Sequence, residues 1–464
     1  MKTASTDAVR RALILEGSLL KTIIILALPN MLVGLVQALT PFVDSLFIYN
    51  LAGDKAGASV AFAGPILNLV QAFGIGLGSA GLAIIGQANG SGDRVKARGL
   101  SRRFLYVVLA TGFVAAIVLL AFAGLAVAPL GPELAASAVL YLQMTAFGLP
   151  FMYFGSAYNA IALGYGRAEK TLYRALINLV VKIVADIVFV LILKGGVMGA
   201  AWATLLSTVV ASSFMATDLI SWSKKSIADD NLAEQKEKFH LPMVPFVLKL
   251  FKLGFPATLV QASNSLSFYF MNNEAARFGT EVLNGFGIAN TINSIFFAPP
   301  SSIGSAVAAT SAITSGAQAF DRARLLARAG LWLSIGTSLL FTGLLFPLSE
   351  FLSSLFTRTP NVLMHAAEAM RYFSVSLVGF AIFNVIAGAF SGIGRTDVPL
   401  WIAVARIWVL RIPVVFLALW LWPVLAEKAV WISMAVSNFA TAGFALLLFR
   451  HIKWDHKALG KLDK

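Results

Sequence analysis

Three features of the sequence predict an all-α integral membrane protein of twelve transmembrane helices in two pseudo-symmetric six-helix lobes. Apolar runs of membrane length fill the chain, Lys and Arg concentrate in alternate loops, and short motifs recur at one offset. With 58% hydrophobic and 12% charged residues and a mean hydropathy of +0.81, the chain lies far from soluble usage.

Runs long enough to cross a bilayer, about 20 residues each, fall at 19–49, 57–88, 100–128, 133–163, 170–194, 196–222, 243–274, 282–316, 324–352, 361–391, 397–422 and 428–450. Several exceed that length and must tilt, kink or project. Of the 36 Lys and Arg, 27 fall on the side of the N-terminus, six fall opposite and three (Lys182, Arg406 and Arg411) lie inside spans. The asymmetry puts both termini in the cytoplasm and requires an even number of crossings. The net charge of +14 therefore reports topology, and no nucleic-acid partner is expected. The absence of Cys excludes disulfides and thiolate metal sites. His240, His365, His451 and His456 all lie away from the middle of the apolar runs, so no metal, cofactor or enzymatic chemistry is expected. Met1–Lys21 is polar and basic and lacks a short apolar segment with a small-residue cleavage site, so no removable signal peptide is expected.

Sliding the chain against itself pairs Gly164-Tyr165-Gly166-Arg167 with Gly392-Ile393-Gly394-Arg395, and Asp93-Arg94 with Asp321-Arg322, both at an offset of 228. Pro29 and Pro256, in the first and seventh spans, pair at 227. The expected organisation is an N-terminal lobe (1–222), a cytoplasmic linker (223–242) and a C-terminal lobe with a short basic tail (243–464). Because six is even, the lobes share one orientation about an axis along the membrane normal, with a cavity between them. Asp229-Asp230 stands in the charged linker, where a solvated loop explains it better than a metal-diphosphate motif.

The fifth span is the most informative. Leu176–Leu193 is almost wholly Val, Ile, Leu and Phe, yet carries Asn178, Lys182 and Asp186 at intervals of four. That spacing stacks the three on one helical face. An ionisable group near the bilayer centre costs about 2.5–3.5 kcal/mol on insertion scales, so these groups must pair or face a wet cavity. In the first span, Gln37 and Asp44 lie seven apart and nearly share a face, Asp44 toward the outer end. Asp186 precedes the outer turn by about as much as Thr204, in the sixth span, follows it. Asp44, Lys182, Asp186 and Thr204 are thus expected to converge in one polar pocket. The alternative reading is a structural Lys182–Asp186 bridge with Asp44 snorkelling to water.

An offset of 228 carries Lys182 to Leu410 and Asp186 to Val414, so the ionisable pocket is expected in the first half only. The second half offers Gln261, Asn264, Asn290, Asn293 and Asn384, which line a substrate path or bond helix to helix. Arg406 and Arg411 either receive an anionic group or snorkel, and Glu274 with Arg277 is expected to form a rim pair.

The form Pro-x14-Asp in the first span, Gly164–Arg167, the Asn178, Lys182, Asp186 face and Gly199-Ala200-Ala201-Trp202-Ala203-Thr204 resemble the multidrug and toxic compound extrusion (MATE) family, along all twelve spans. The carboxylate placement is similar to its DinF-like prokaryotic branch, within the MOP flippase superfamily, rather than to the branch with an acid deep in the seventh span, where this chain has Ser263 and Asn264. The resemblance implies a V-shaped multi-pass exporter of the bacterial inner membrane. Such an exporter exchanges protons or Na⁺ for small organic, often cationic, substrates by alternating access, and a monomer is expected. It also implies that Asp44, Asp186 and Thr204 hold cation-site positions, and that Gln37 and Asn159 hold substrate-cavity positions. Asn178, Gln261, Asn264 and Asn293 join that substrate set on position.

One departure matters. The family usually has Asn where this chain has Lys182. An ammonium–carboxylate contact at 4 Å is worth about 4 kcal/mol at an effective dielectric near 20, before desolvation. Lys182 is therefore expected to replace Na⁺ electrostatically and leave Asp44 to titrate, favouring proton coupling. Pro29, lacking an N–H, is the expected hinge of the first span. A flippase for a lipid or lipid-linked glycan, with diphosphate at Arg406 and Arg411, is the alternative within the superfamily. A transferase would need more than Asp229-Asp230, and a channel would conduct without counterflow.

Overall fold

The computed structural model describes residues 6–47, 54–126, 132–230 and 242–460; the side chains of 6, 39–47, 54–62, 65, 126, 132–134, 197 and 225–230 also lie outside the description. Up to Arg450 the described chain is helical apart from short turns. α1 (Thr6–Glu16) precedes α2 (Leu19–Phe47), α3 (Asp54–Gly90), α4 (Arg94–Ala126), α5 (Pro132–Gly164), α6 (Ala168–Asp186) and α7 (Gly196–Asp230). The second half comprises α8 (Met243–Ala276), α9 (Thr280–Gly316), α10 (Phe320–Ser354), α11 (Pro360–Gly392), α12 (Asp397–Val404), α13 (Ile412–Leu421) and α14 (Lys428–Arg450). Two π-helical segments interrupt this order: Ile187–Ile192 prolongs α6, and Ala405–Arg411 joins α12 to α13 into one span.

Eleven of the twelve expected spans are long and apolar enough to cross a membrane. The eighth, α9, is as long but carries Asn284, Asn290, Asn293 and a run of Ser and Thr. It tolerates them because α2, α3, α10 and α11 pack around it. Thr310 and Thr314 also donate into their own helix, to the carbonyls of Ala306 (3.1 Å) and Thr310 (2.7 Å). Around the perimeter, Phe113, Ile117, Leu125, Trp332 and Trp420 are exposed, as lipid-facing side chains should be.

The repeated Gly-x-Gly-Arg motif has a backbone origin. Its second glycine is left-handed in both copies, φ +69° at Gly166 and +81° at Gly394, ending α5 and α11. The first allows close packing: a Cβ on Gly392 would stand 2.3 Å from the Ala308 carbonyl oxygen.

The first helix of each half leans into the other half. Ile23, Leu26 and Ala27 of α2 are buried with side chains of α9, α10, α11 and α12, while Phe246, Leu250 and Leu253 of α8 are buried with α3, α4 and α5. Between them α3 meets α8 and α9 through small residues. A Cβ on Gly76 would lie 2.2 Å from the Thr258 hydroxyl, and one on Gly316 would lie 2.0 Å from the Gln87 carbonyl oxygen. These contacts run from the terminal-bearing ends of the helices to about their middle, where Gly76 meets Thr258. Gly34 with Ala298 and Asn30 with Ser302 continue the contact of α2 with α9. The halves are therefore sealed on the terminal-bearing face.

Two segments absent from the span pattern complete the seal. α1 ties the terminal ends together: Arg10 pairs with Glu169 at 2.7 Å, Arg11 donates to the Gly90 carbonyl at 2.8 Å, and Arg322 of the second half donates to the Ile14 carbonyl at 3.1 Å. The tail after α14 folds under both halves. Gln87 donates to the His456 carbonyl (3.1 Å) and accepts from the Ala458 N–H (2.7 Å), and Ser315 donates to the Trp454 carbonyl (2.7 Å). Gly316→Ala is expected to lower the stability of the detergent-purified protein by about 1–3 kcal/mol, the usual cost of overpacking. An unchanged thermal midpoint would mean that α3 and α9 do not meet as described.

Candidate functional site

α6 and α7 run antiparallel, joined by a tight turn in which Lys194 and Gly196 have φ of 50° and 54°. The π-helical widening after Asp186 pushes the Phe189 carbonyl toward α7, where Gly199 leaves room; a Cβ there would be 2.5 Å from that oxygen. This close approach sets Thr204 opposite Lys182. The Lys182 Nζ donates to Thr204 Oγ1 at 3.0 Å and lies 3.4 Å from Asp186 Oδ2, with side chains only 5% and 2% exposed. The Thr204 hydroxyl spends its own proton on the Ala200 carbonyl, 3.0 Å away, so it presents a lone pair to the ammonium. Lys182, Asp186 and Thr204 are thus brought together, and Lys182 is turned inward. A buried i,i+4 pair of this kind is worth most when no water competes.

Asn178 is half-buried on the same α6 face, one turn before Lys182. Asp44 belongs to α2, but its side chain lies outside the described residues, as does any contact it makes. Pro29 sits in α2, which continues unbroken past it, and Asn30 Nδ2 donates to the Leu26 carbonyl at 3.1 Å. Asn159 on α5 and Asn293 on α9 each keep one buried amide atom, Oδ1 and Nδ2 respectively, without a hydrogen-bond partner among the described residues. Gln37 and Gln261 are exposed. Asn384 is occupied within its own helix, donating to the Phe380 carbonyl at 2.9 Å. Glu274 and Arg277 form the expected rim pair at 3.0 Å.

The second half departs from expectation. Arg406 and Arg411 do not snorkel: both side chains are buried, 3% and 5% exposed. Arg411 donates to Ser437 Oγ (3.0 Å), Ser267 Oγ (2.8 Å) and Asn438 Oδ1 (2.9 Å). Arg406 donates through Nη2 to Asn264 Oδ1, and its Cζ stands 4.7 Å from the centre of the Phe383 ring. Beside the ionisable pocket expected in the first half, the second half thus buries a guanidinium pair of its own. The offset of 228 missed Arg411 through register. A π turn inserts one residue, so the segment Ala405–Arg411 moves the partner of Lys182 from Leu410 to Arg411. Pro413, two residues on, cannot donate to the Val409 carbonyl, and that is the sequence signal for the widened turn.

Sequence reasoning also passed over Asp218. On the terminal-bearing side of the first half it accepts from Lys170 and, at 2.9 Å, from the Tyr158 hydroxyl. Near it, Arg167 lies over the Trp222 ring at 5.4 Å, and Trp222 Nε1 donates to Asp7 Oδ2 at 2.9 Å. In the second copy of the motif Arg395, between spans, forks onto Asp397 at 2.9 Å, and that hydrogen bond raises its pKa. At the opposite ends of the helices His365, Glu368 and Glu427 bring ligand atoms within 4.8 Å of one another, but Glu368 is already paired with Lys428 at 2.8 Å.

The profile of the MatE family matches residues 29–188 and 256–417, one segment in each half. The probable multidrug resistance protein YoeA of Bacillus subtilis is 24% identical over 455 residues, covering 96% of either chain. A crystal structure of MATE in the straight conformation superposes with a TM-score of 0.87 at 23% identity, covering both chains completely. A MOP superfamily transporter from Pyrococcus furiosus, described as having a binding pocket of reverse polarity that suggests a different function, has a TM-score of 0.86 at 22% identity with both chains covered. Twice matched by one family profile and matched end to end by its folds, the chain belongs to the MATE family of transporters.

Proposed function

We propose that the chain is a secondary active exporter that moves amphipathic organic small molecules out of the cell in exchange for protons. The observation that carries the coupling is the Lys182 ammonium, 3.0 Å from Thr204 and 3.4 Å from Asp186, standing where a bound metal cation would otherwise neutralise the carboxylate. A tethered cation cannot be exchanged across the membrane. Na⁺ gains little at a site already neutralised, and Asp44 is left as the group whose charge changes during the cycle. A cationic substrate would find that carboxylate in the first lobe. The names of relatives such as YoeA support drug efflux.

The lobes are assigned to 1–222 and 243–464, joined by 223–242, and the protein acts as a monomer of the inner membrane with its termini in the cytoplasm. On that topology the sealed face is cytoplasmic. Protonation of Asp44 changes what α2 can contact. Pro29 gives α2 a place to bend, and α2 reaches into the opposite core, so bending is transmitted across the seam.

Proteoliposomes with an imposed pH or Na⁺ gradient test this reading. Efflux is expected to follow the pH gradient and to ignore Na⁺. Asp44→Asn should reduce it at least about tenfold, and Lys182→Asn should acquire a Na⁺ response. Na⁺-driven efflux by the unaltered protein at clamped pH would overturn the assignment.

A further inference from the structure

We propose that the second lobe binds an anionic group at Arg406, with Arg411 fixed behind it. The ligand is a carboxylate, sulfonate or phosphate oxygen on an amphipathic molecule. As a substrate site it rests on the exporter reading; as a binding site it rests on its own geometry.

The argument is one of uncompensated charge. In the first half the buried ammonium of Lys182 has the carboxylate of Asp186. In the second half two guanidinium groups are buried, and among the described residues no carboxylate pairs with either. Arg411 is satisfied by neutral oxygens from α8 and α14, three bonds that fix its plane. Arg406 is less completely used. Asn264 and the Phe383 ring occupy part of it, while its buried Nε has no hydrogen-bond partner among the described residues. Stability offers no reason for such a pair, since apolar residues of similar volume are cheaper to bury than unpaired charge. An arriving anion supplies the missing counter-charge, and a guanidinium offers a two-pronged donor fork for it.

The way in is polar. Asn264 is half-exposed, and Gln261, one turn earlier on α8, is exposed. Glutamine at mid-span does not face lipid without cost, and Gly254, seven residues earlier on the same face, packs on Gly76 and Leu77, so this edge of α8 lies toward the other lobe. An anion entering past Gln261 meets Asn264 and then Arg406. The apolar groove of about 940 Å³ lined by Phe113, Phe147, Phe151 and Trp202 lies among α4, α5 and α7 of the other lobe and has no charged lining.

The test uses two dyes with one tricyclic scaffold and opposite charge, carboxyfluorescein and a rhodamine ester, titrated against full-length protein in phosphatidylcholine nanodiscs by fluorescence anisotropy. Arg406→Gln is expected to weaken carboxyfluorescein at least about tenfold, a loss of ~1.4 kcal/mol, while rhodamine changes less than about threefold. Arg406→Lys, which keeps the charge, should retain most of the affinity. Equal loss of both dyes in Arg406→Gln, no loss of either, or a Lys variant as weak as the Gln variant overturns the proposal. Repeating the titration in phosphatidylglycerol nanodiscs separates the sources. Competition that disappears in Arg406→Gln identifies a lipid headgroup phosphate as the ligand, whereas undiminished dye affinity identifies a soluble anion. Binding without carboxyfluorescein efflux from vesicles would overturn the role of Arg406 as a substrate site and leave the binding site standing.

Discussion

Lys182→Met is expected to cost about 3–5 kcal/mol of unfolding free energy and to abolish transport. Removing one member of a buried pair leaves the other charged in a place that water does not reach. Asp186 is 2% exposed at its side chain, so little solvent is available to replace the ammonium. The informative comparison is Lys182→Met/Asp186→Leu, which takes away both charges. Buried pairs replaced by apolar groups of similar volume are commonly neutral or stabilising, so the double variant should recover most of the lost stability. It should not recover transport, because the carboxylate that shapes the coupling site has gone. Denaturant or thermal unfolding in detergent gives the first quantity and gradient-driven efflux the second. A double variant that is stable and still active would reduce the cluster to a structural bridge. A stable single variant would show that the pair is not buried as described.

Locking the terminal-bearing seam is expected to stop transport completely. The chain has no Cys, so an introduced pair forms without competition. Gly34 and Ala298 face each other across the seam, a Cβ on Gly34 falling 2.9 Å from that of Ala298. A disulfide prefers about 3.5–4.5 Å between Cβ atoms, so Gly34→Cys/Ala298→Cys asks the helices to part by roughly an ångström. The proposed exporter cycle requires this seam to open. Oxidation should therefore reduce efflux to background, reductant should restore it, and each single variant should be indifferent to both. Full activity in the oxidised double variant would mean that the lobes do not separate at Gly34.

Much of this fold was legible because membrane length and loop charge are strong constraints. Asn178, Lys182 and Asp186 could be placed on one face from spacing alone, and Thr204 from its distance to the turn, because an unbroken helix has a fixed rise. The same arithmetic failed in the eleventh span, where the π turn before Ile412 shifts the register by one residue and exchanges Leu410 for Arg411. Hydropathy did not reveal α1 or the tail, since each buries only a few apolar side chains, Ile14 in the first and Trp454 and Leu459 in the second, and is otherwise held by hydrogen bonds to backbone. Nor could it show that α2 and α8 exchange cores, because the apolar face of a helix does not specify the neighbour that covers it. Asp218 was overlooked because an acid near a helix end reads as solvated, whereas here Tyr158 and Lys170 enclose it.

The grip of Gln87 on the tail has an evolutionary consequence. The carboxamide meets one carbonyl and one N–H of the main chain, as a neighbouring strand would, and touches no side chain through those bonds. The exposed Lys457 is therefore free to drift, whereas the His456 ring is held 2.8 Å from the Ile393 carbonyl and Ala458 is buried against Gly394. Position 87 has no such latitude: Glu loses the donor, Leu loses both bonds, and Asn is too short by a methylene. Variation among relatives should accordingly be broad at position 457 and narrow at the glutamine that grips the peptide groups on either side of it.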